Sequence, residues 1–183
     1  MRSPFTLRLA TKADIPALQE LIEASVRGLH GGEYTQAQMD GALGTVLGLD
    51  TQLIQDRTYF VAEAAGRLAG CGGWSKRRTL FGADLGPDRE PELLDPARDA
   101  AKVRAIFVHP EFARRGLGSL LLARVEAAAW AAGFRRFEMG STLTGVPLYR
   151  LRGYTEVEHL AVPLVNGEAL PVVRMVKHAD AEE

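Results

Sequence analysis

The order of hydrophobic and polar positions along the chain predicts a mixture of strands and helices. In some segments apolar residues alternate with polar ones, as in a half-buried strand, and in others they recur every three or four residues, as in an amphipathic helix. Strands are predicted at 5–9, 59–64, 67–74, 103–108, 136–140, 154–165 and 172–177. Helices are predicted at 15–26, 35–47, 116–132 and 147–151. The fold class is therefore α/β, with the two kinds of element interleaved.

Capping and turn residues mark where several of these elements begin and end. Thr11–Asp14 and Thr35–Gln38 both have capping-box spacing, which predicts two helix starts. Gly44 lies inside the second helical run and weakens it. Ala65-Gly66 and Asn166-Gly167 are tight-turn pairs, so we expect a hairpin at each.

A charged segment separates the first hairpin from the strand at 103–108. It spans about 75–101 and contains Pro87, Pro91 and Pro96, without helical or strand periodicity. A connection this long without structure of its own is either a plain excursion or a functional lid, and both interpretations stay open. No repeat and no break in composition divides the chain, so we expect one domain over residues 1–183.

Composition narrows the class of protein. Of the 183 residues, 46% are hydrophobic and 25% are charged, as in a globular domain. The net charge of −1 gives no reason to expect nucleic acid as a partner. No apolar run approaches the roughly 20 residues that cross a membrane. Cys71 is the only cysteine, which excludes an internal disulfide, and we expect a cytoplasmic protein.

The strand at 103–108, the loop after it and the helix from 116 onward predict an anion site. The first N–H groups of a helix lack partners and carry partial positive charge. Gly116 and Gly118 let a phosphate approach these donors without a Cβ in the way, and Arg114 and Arg115 add full charges. We therefore predict that this loop binds a phosphate-bearing ligand.

Two common phosphate loops are excluded by the residues present. The loop lacks the Gly-Lys-Ser/Thr ending of a P-loop for nucleoside triphosphates. Leu121 stands where a dinucleotide fingerprint has its third glycine. Two glycines alone are weak evidence for any one ligand, so the class of ligand has to be inferred from the surrounding sequence.

That surrounding sequence resembles one superfamily in two places, in matching order and spacing. The stretch IFVHPEFARRGLGSLL, residues 106–121, resembles the acetyl-CoA-binding motif of the GNAT superfamily of acetyltransferases. The stretch PLYRLRGY, residues 147–154, resembles its tyrosine-bearing helix. The resemblance implies a GNAT-like acyl-CoA N-acyltransferase fold, with a mixed sheet of about six or seven strands flanked by helices, and acetyl-CoA as the acyl donor.

The resemblance also implies which residues hold the donor. The pantetheine arm would lie between two splayed central strands and bond to the backbone of Ile106, Phe107 and Val108, and the pyrophosphate would bind N–H groups at 115–119. The other implied contacts are Arg114, Arg115, Gly116, Leu117, Gly118, Ser119 and Thr142. Thr142 stands where many members have asparagine, and Ala113 where they often have glutamine or arginine. These differences affect side-chain contacts, whereas backbone contacts should remain.

Tyr149 matches the general acid of the superfamily, which protonates the departing CoA thiolate. A thiol of pKa about 8.5 leaves better when a hydroxyl donates to it, an effect on the order of 10² to 10⁴ in rate. The alternative role is a packing aromatic beside Leu148 and Leu151. A backbone N–H near Val108 would stabilise the oxyanion. Because Cys71 has no basic neighbour in sequence, direct transfer is favoured over an acyl-enzyme.

The sequence does not identify the group that deprotonates the attacking amine. An alkylamine has a pKa of about 10.4, so a proton acceptor is chemically useful. Glu33, Glu63 and Glu138 are candidates, although each is otherwise a solvated or ion-paired carboxylate. His30 and His109 have no metal-ligand spacing, and no metal is predicted.

Taken with the resemblance, the sequence predicts an N-acetyltransferase that moves an acetyl group from acetyl-CoA directly to a primary amine, in particular one of a small molecule. A CoA-binding sensor without catalysis and a generic α/β binding domain are the alternatives, because fold alone does not fix function. The strand at 172–177 is predicted to lie at a sheet edge, where it could pair across a homodimer.

Overall fold

Seven strands form one mixed sheet in the computed structural model, which describes residues 2–87 and 89–179. The strands are β1 (Thr6–Leu9), β2 (Tyr59–Ala64), β3 (Arg67–Ser75), β4 (Ala101–Val108), β5 (Arg136–Thr142), β6 (Thr155–Pro163) and β7 (Ala169–His178). The helices are α1 (Ile15–Leu29), α2 (Gln36–Ala42), α3 (Thr51–Gln55), α4 (Leu117–Ala131) and α5 (Val146–Leu151). The predicted α/β class and mixed sheet are confirmed.

The strand order is β1-β2-β3-β4-β5-β7-β6, and every neighbouring pair is antiparallel except β4 and β5. The predicted hairpins at 65–66 and 166–167 both form. β7 lies inside the sheet between β5 and β6, so the prediction of an edge strand at 172–177 is wrong, and β1 and β6 are the edge strands. The error arose because β7 returns to insert beside β5, a non-local pairing that a strand's own pattern does not encode.

The first helix forms where its capping signal and apolar periodicity predict it. Thr11 and Asp14 make a capping box that starts a short 3-10 turn, and the chain continues into α1. Leu18, Ile22 and Val26 share one face of α1 and are fully or almost fully buried. The 3.6-residue period therefore places an apolar stripe against the sheet.

The next two helices differ from prediction. Thr35 caps α2 as predicted, but α2 ends at Ala42 rather than near residue 47, because Gly44 has a φ of +83° that a helix cannot continue through. α3 was not predicted, since five residues carry too little periodicity to show. The Asp50 carboxylate caps α3 by accepting from the Gln52 N–H at 3.0 Å. Within the described ranges, no helix has the length and apolar character needed to cross a membrane.

Clusters of buried apolar residues lie on both faces of the sheet. Helices α1, α2 and α3 contribute to one cluster, α4 and α5 to a second, and the start of α4 to a third. Val61 belongs to the first and its neighbour Phe60 to the second, as expected for adjacent residues of a strand. The sheet is therefore covered on both sides, and access to its centre depends on how the strands separate.

A β-bulge in β4 bends that strand at the centre of the sheet. Opposite residues 71–73 of β3, β4 has one residue more, and Ala105 has a φ of +51°. The Tyr59 hydroxyl donates to the Ala105 carbonyl at 2.9 Å and stabilises the bulge. β4 is in register with β5 only at Ala101 and Lys102. Because a bulge increases bend and twist, the two strands separate beyond that point, as the resemblance implied.

The charged segment at about 75–101, predicted to have no secondary structure of its own, instead includes an antiparallel arm, which we define as residues 76–87 and 89–94. The Arg78 N–H donates to the Glu92 carbonyl at 3.0 Å, and the Leu94 N–H donates to the Lys76 carbonyl at 2.7 Å. These pairs join positions far apart in sequence without alternating apolar residues. Periodicity therefore could not reveal the arm.

Candidate active site

A cavity of about 70 Å³ occupies the gap between β4 and β5. We call this gap, between residues 103–107 of β4 and 139–142 of β5, the cleft. Its remaining walls come from the end of α1, the turn after α2, the arm and α5. His30, Phe81, Ile106, Met139, Thr142 and Tyr149 are among the residues that line it.

The loop before α4 has the geometry of an anion site. Arg114 and Gly116 have left-handed φ values of 59° and 79°. The Leu120 N–H donates to the Gly116 carbonyl at 3.0 Å, which closes the first turn of the helix. The N–H groups at 117–119 precede that bond and face outward from the helix start. The backbone geometry agrees with the predicted pyrophosphate site, whose contacts with a ligand stay a prediction.

Guanidinium groups flank this helix start. Arg114 and Arg115 are exposed, and the Arg115 guanidinium lies 5.7 Å from the centre of the Phe112 ring. Arg152, which follows α5, donates to the Ser119 hydroxyl through Nε at 3.2 Å and Nη2 at 3.0 Å. Arg152 was absent from the predicted site, because 33 residues separate it from Ser119 and no spacing rule connects them. All three arginines favour an anionic ligand.

The helix start is packed directly against the helix that carries Tyr149. A Cβ at Gly118 would lie 3.1 Å from Cδ2 of Leu148, so a side chain at 118 would require the Leu148 side chain to shift slightly. A Cβ at Gly145 would lie 2.8 Å from Cε2 of Tyr149. Tyr149 is itself buried and lies edge-on to Tyr154, with 5.9 Å between ring centres. These contacts fix the Tyr149 ring in the wall of the cleft.

Burial strengthens the preference of Tyr149 for its protonated form. Desolvation of the phenolate raises the pKa of Tyr149 well above the ordinary value near 10. The side chain therefore carries its proton at neutral pH, as a general acid must.

The other predicted donor contacts lie along both edges of the cleft. Ile106 and Phe107 line it from β4, and Val108 follows directly at the end of that strand. Thr142 lines it from β5, and its hydroxyl accepts the Gly145 N–H at 3.1 Å. This bond orders the turn that leads into α5. The roles of all four residues in binding the donor stay predictions.

His30 also lines the cleft, although no functional role was predicted for it from the sequence. It follows the last residue of α1, and its ring is parallel to that of Tyr34, with 6.2 Å between ring centres. Its Nδ1 atom is buried and has no hydrogen-bond partner in the described part of the chain. Burial lowers the pKa of His30 below its ordinary value near 6.5. Nothing in the sequence around His30 indicates that its side chain is buried in the wall of a cleft.

A buried ion pair attaches the arm to the sheet behind the cleft. Arg104 of β4 is 3% exposed and donates to the Asp50 carboxylate at 3.0 Å. Arg104 also donates to the carbonyls of Thr79 at 3.2 Å and Gly82 at 2.5 Å. Arg89 adds a second contact to Asp50 at 3.1 Å. The Arg104 guanidinium is thus occupied by protein partners, and it positions the arm as a wall of the cleft.

None of the three candidate glutamates is among the residues that line the cleft. Glu63 accepts hydrogen bonds from Arg8 at the β1–β2 pair. Glu138 is bonded to Lys102 at 2.5 Å and to Arg174, and these partners hold its pKa below the ordinary value despite burial. Glu33 is exposed. Their contacts and positions argue against each as the group that deprotonates an amine.

Cys71 is chemically inert in this structure. It is fully buried, and desolvation raises the pKa of its thiol to about 12. Its sulfur lies 3.1 Å from the Tyr59 hydroxyl oxygen. Across residues 2–87 and 89–179, no cluster of histidine, cysteine, aspartate or glutamate side chains is arranged to hold a metal ion.

Comparison with protein families identifies the class. A sequence model of the Acetyltransferase (GNAT) family matches residues 24–154, which is more than half of the chain. The chain therefore belongs to the GNAT family of acetyltransferases and is an acyltransferase, as its two motifs predicted. No curated protein matches the chain.

Solved structures share the fold. A GCN5-related N-acetyltransferase from Rhodopseudomonas palustris has a TM-score of 0.73 at 19% identity, over 97% of this chain and 98% of that one. The putative acetyltransferase yncA from Salmonella typhimurium, solved with acetyl-CoA, has a TM-score of 0.64 at 22% identity, over 99% and 97%. The paia N-acetyltransferase from Thermoplasma acidophilum, solved with coenzyme A, has a TM-score of 0.64 at 12% identity, over 95% and 98%.

Proposed function

We propose that this chain transfers the acetyl group of acetyl-CoA directly to a primary amine of a small molecule. The observation that carries the proposal is the arrangement of one cleft, which combines separated strands, a nearby helix start with two glycines, and the buried hydroxyl-bearing side chain of Tyr149. The similar structures that hold acetyl-CoA or coenzyme A support the same donor here.

The donor is proposed to bind mainly through backbone groups. Its pyrophosphate accepts from the N–H groups at 115–119, and Arg114, Arg115 and Arg152 offset its charge. The pantetheine amides pair with the edge of β4 at 106–108, which β5 leaves open because the strands separate. The thioester then lies in the cleft beside Tyr149.

The acyl transfer is proposed to proceed without a covalent enzyme intermediate. The amine nitrogen attacks the thioester carbonyl, a backbone N–H near Val108 stabilises the oxyanion, and Tyr149 donates its proton to the departing sulfur. Burial raises the pKa of Tyr149, and it would raise the pKa of a thiol in the same cleft as well, since desolvation disfavours both anions. The inert state of Cys71 supports direct transfer.

The size of the cleft supports a small acceptor. A cavity of about 70 Å³ is small beside the roughly 300–1,000 Å³ typical of ligand pockets. Its lining is mixed, with apolar side chains such as Phe81 and Met139 beside polar ones such as Ser141. The Arg104 guanidinium in this lining is bonded to Asp50. An amine must be neutral to attack, and burial in the cleft favours the neutral form.

The proposal is tested by acetyl-CoA-dependent thiol release with a panel of amines: benzylamine, phenethylamine, spermidine, free amino acids and a lysine-containing peptide. We expect turnover with one or more of the small amines and less with the peptide. Calorimetric binding of acetyl-CoA without turnover on any amine would instead identify a CoA-binding module. Absence of binding would contradict both functions.

A further inference from the structure

The His30 imidazole is a buried polar side chain in the wall of the cleft. It is 8% exposed, and its Nδ1 has no hydrogen-bond partner in the described residues. Leaving a buried polar atom without a partner costs roughly 1–3 kcal/mol. A side chain that served only for packing could be apolar without that cost, so the imidazole has a use that the protein's own contacts do not show.

The surroundings hold this ring rigidly in the cleft. The backbone N–H of His30 donates to the Val26 carbonyl at 3.2 Å, which anchors the residue to the end of α1. The ring is parallel to that of Tyr34 at an interplanar angle of 7°. The Tyr34 hydroxyl donates to the Pro171 carbonyl at 2.6 Å and accepts the Leu143 N–H at 3.0 Å, so the neighbouring ring is fixed from two sides.

The charged and titratable groups around His30 leave it as a proton acceptor near neutral pH. Tyr149 and Arg104 line the same cleft, and Asp50 neutralises Arg104. Burial raises the pKa of Tyr34 to about 12, so that phenol stays neutral. Burial lowers the pKa of His30, so its imidazole is neutral at pH 7 and has a lone pair available.

We propose that His30 is the catalytic base that accepts a proton from the ammonium form of the acceptor, an inference that rests on the proposed function. The ammonium loses one proton to the imidazole, and the freed lone pair forms the C–N bond to the thioester carbon. The C–S bond breaks with its electron pair going to sulfur. Tyr149 gives its proton to the sulfur, and the second proton lost by the nitrogen restores the Tyr149 hydroxyl. His30 returns its proton to solvent.

This assignment divides the cleft between two proton-transfer groups. Tyr149, on α5, serves the leaving sulfur, and His30, at the end of α1, serves the attacking nitrogen. It also accounts for the missing carboxylate, since Glu63 and Glu138 are paired with basic side chains outside the cleft lining. The acceptor class that follows is a basic alkylamine, which needs a proton removed before it can attack.

The test compares His30→Gln with wild type on the best alkylamine of the panel, from about pH 6 to about pH 10, where such an amine deprotonates. We expect kcat/KM at pH 7 to fall by on the order of 10²-fold or more in the variant. The deficit should shrink towards pH 10, because solvent then supplies the free amine. The Kd for acetyl-CoA, measured by calorimetry, should not change.

Two further variants separate this role from a structural one. His159→Gln changes a mostly exposed histidine on β6 and should leave the pH profile unaltered. His30→Ala opens a space in which added imidazole should restore part of the lost rate at pH 7. A deficit that is constant with pH and not restored by imidazole would show that His30 only packs, and overturn the inference. A wild-type protein inactive on every amine would overturn the proposed function, and the inference with it.

Discussion

The two sides of the cleft are built in different ways. The donor side, which we define as the loop and helix start at 114–119 with α5, consists of one local backbone motif and a short helix packed on it. The acceptor side, defined as His30, residues 46–48 and the arm, is joined by side chains from distant parts of the chain. The ion pair that positions the arm joins Arg104 and Asp50, which are 54 residues apart in the sequence.

This contrast indicates which parts of the cleft can change their side chains between members of the family and which cannot. Backbone donors and left-handed glycines bind a phosphate whatever the neighbouring side chains are, so the donor side depends on geometry. The acceptor side depends on individual side chains, and a few substitutions there would change the amine that fits. One family can therefore keep a common donor while its members act on different acceptors.

The largest effect is expected from the acid on the donor side. Tyr149→Phe should lower kcat by about 10²- to 10⁴-fold, because the leaving sulfur loses its proton donor, and should leave the Kd for acetyl-CoA nearly unchanged. Tyr154→Phe is the matched control, since it removes only a hydroxyl that donates to Glu126 at 3.2 Å. Equal kcat in Tyr149→Phe and wild type would remove Tyr149 from the mechanism.

On the acceptor side, the largest effect should be on stability. Asp50→Ala leaves the Arg104 guanidinium buried without its carboxylate, and we expect the free energy of unfolding to fall by about 3–5 kcal/mol. Urea titration measures this loss. Asp40→Ala, which breaks an exposed pair with Arg27, should cost far less, because solvent screens that pair. Similar losses in both variants would mean that the buried pair does not hold the arm.

A smaller effect is expected where the loop geometry is disturbed. Gly116→Ala forces a side chain onto a φ of 79°, at a cost of about 1–2 kcal/mol. The loop relieves this strain by leaving the conformation that presents its N–H groups, so binding of acetyl-CoA should weaken about tenfold by calorimetry. Gly167→Ala is the control, because Gly167 has a φ of 84° and equally open surroundings but lies at the β6–β7 turn. Equal Kd values for the two variants would argue against a backbone anion site.

The smallest effect concerns a site away from the cleft. Hydrogen bonds from Arg8 lower the pKa of Asp14 from its ordinary value of 3.8 to about 2. A carboxyl with a depressed pKa in the folded state stabilises the protein above pH 4, and that stability is lost as pH falls from about 4 to about 2. Asp14→Asn and Arg8→Met should each flatten this acid limb in thermal unfolding scans, whereas Asp40→Asn should retain it. An acid limb unchanged in Asp14→Asn would contradict the assignment.

The helices and strands of the donor side were predicted correctly, because each of the sequence signals for them is local. Glycine spacing, a capping residue and apolar periodicity all lie within a window of one strand and one helix, and all seven predicted strands and α1, α4 and α5 are present. The exception is Arg152, whose bond to Ser119 joins two elements. Its position depends on how α5 packs on α4.

The acceptor side could not be predicted in this way. The arm depends on backbone pairs such as Arg78 with Glu92, and the bulge at Ala105 depends on a hydroxyl from Tyr59, 46 residues away. His30 became a candidate only when its burial and its missing partner were known. The interior position of β7 likewise follows from the whole sheet rather than from its own residues.

A crystal structure of the protein with coenzyme A is the sharpest test of the proposed donor site. The account predicts that the pyrophosphate accepts hydrogen bonds from the N–H groups at 115–119, that the pantetheine arm runs along β4 at 106–108, and that the sulfur lies within hydrogen-bonding distance of the Tyr149 hydroxyl. Coenzyme A bound away from the start of α4, or with its sulfur directed away from Tyr149, would contradict the account.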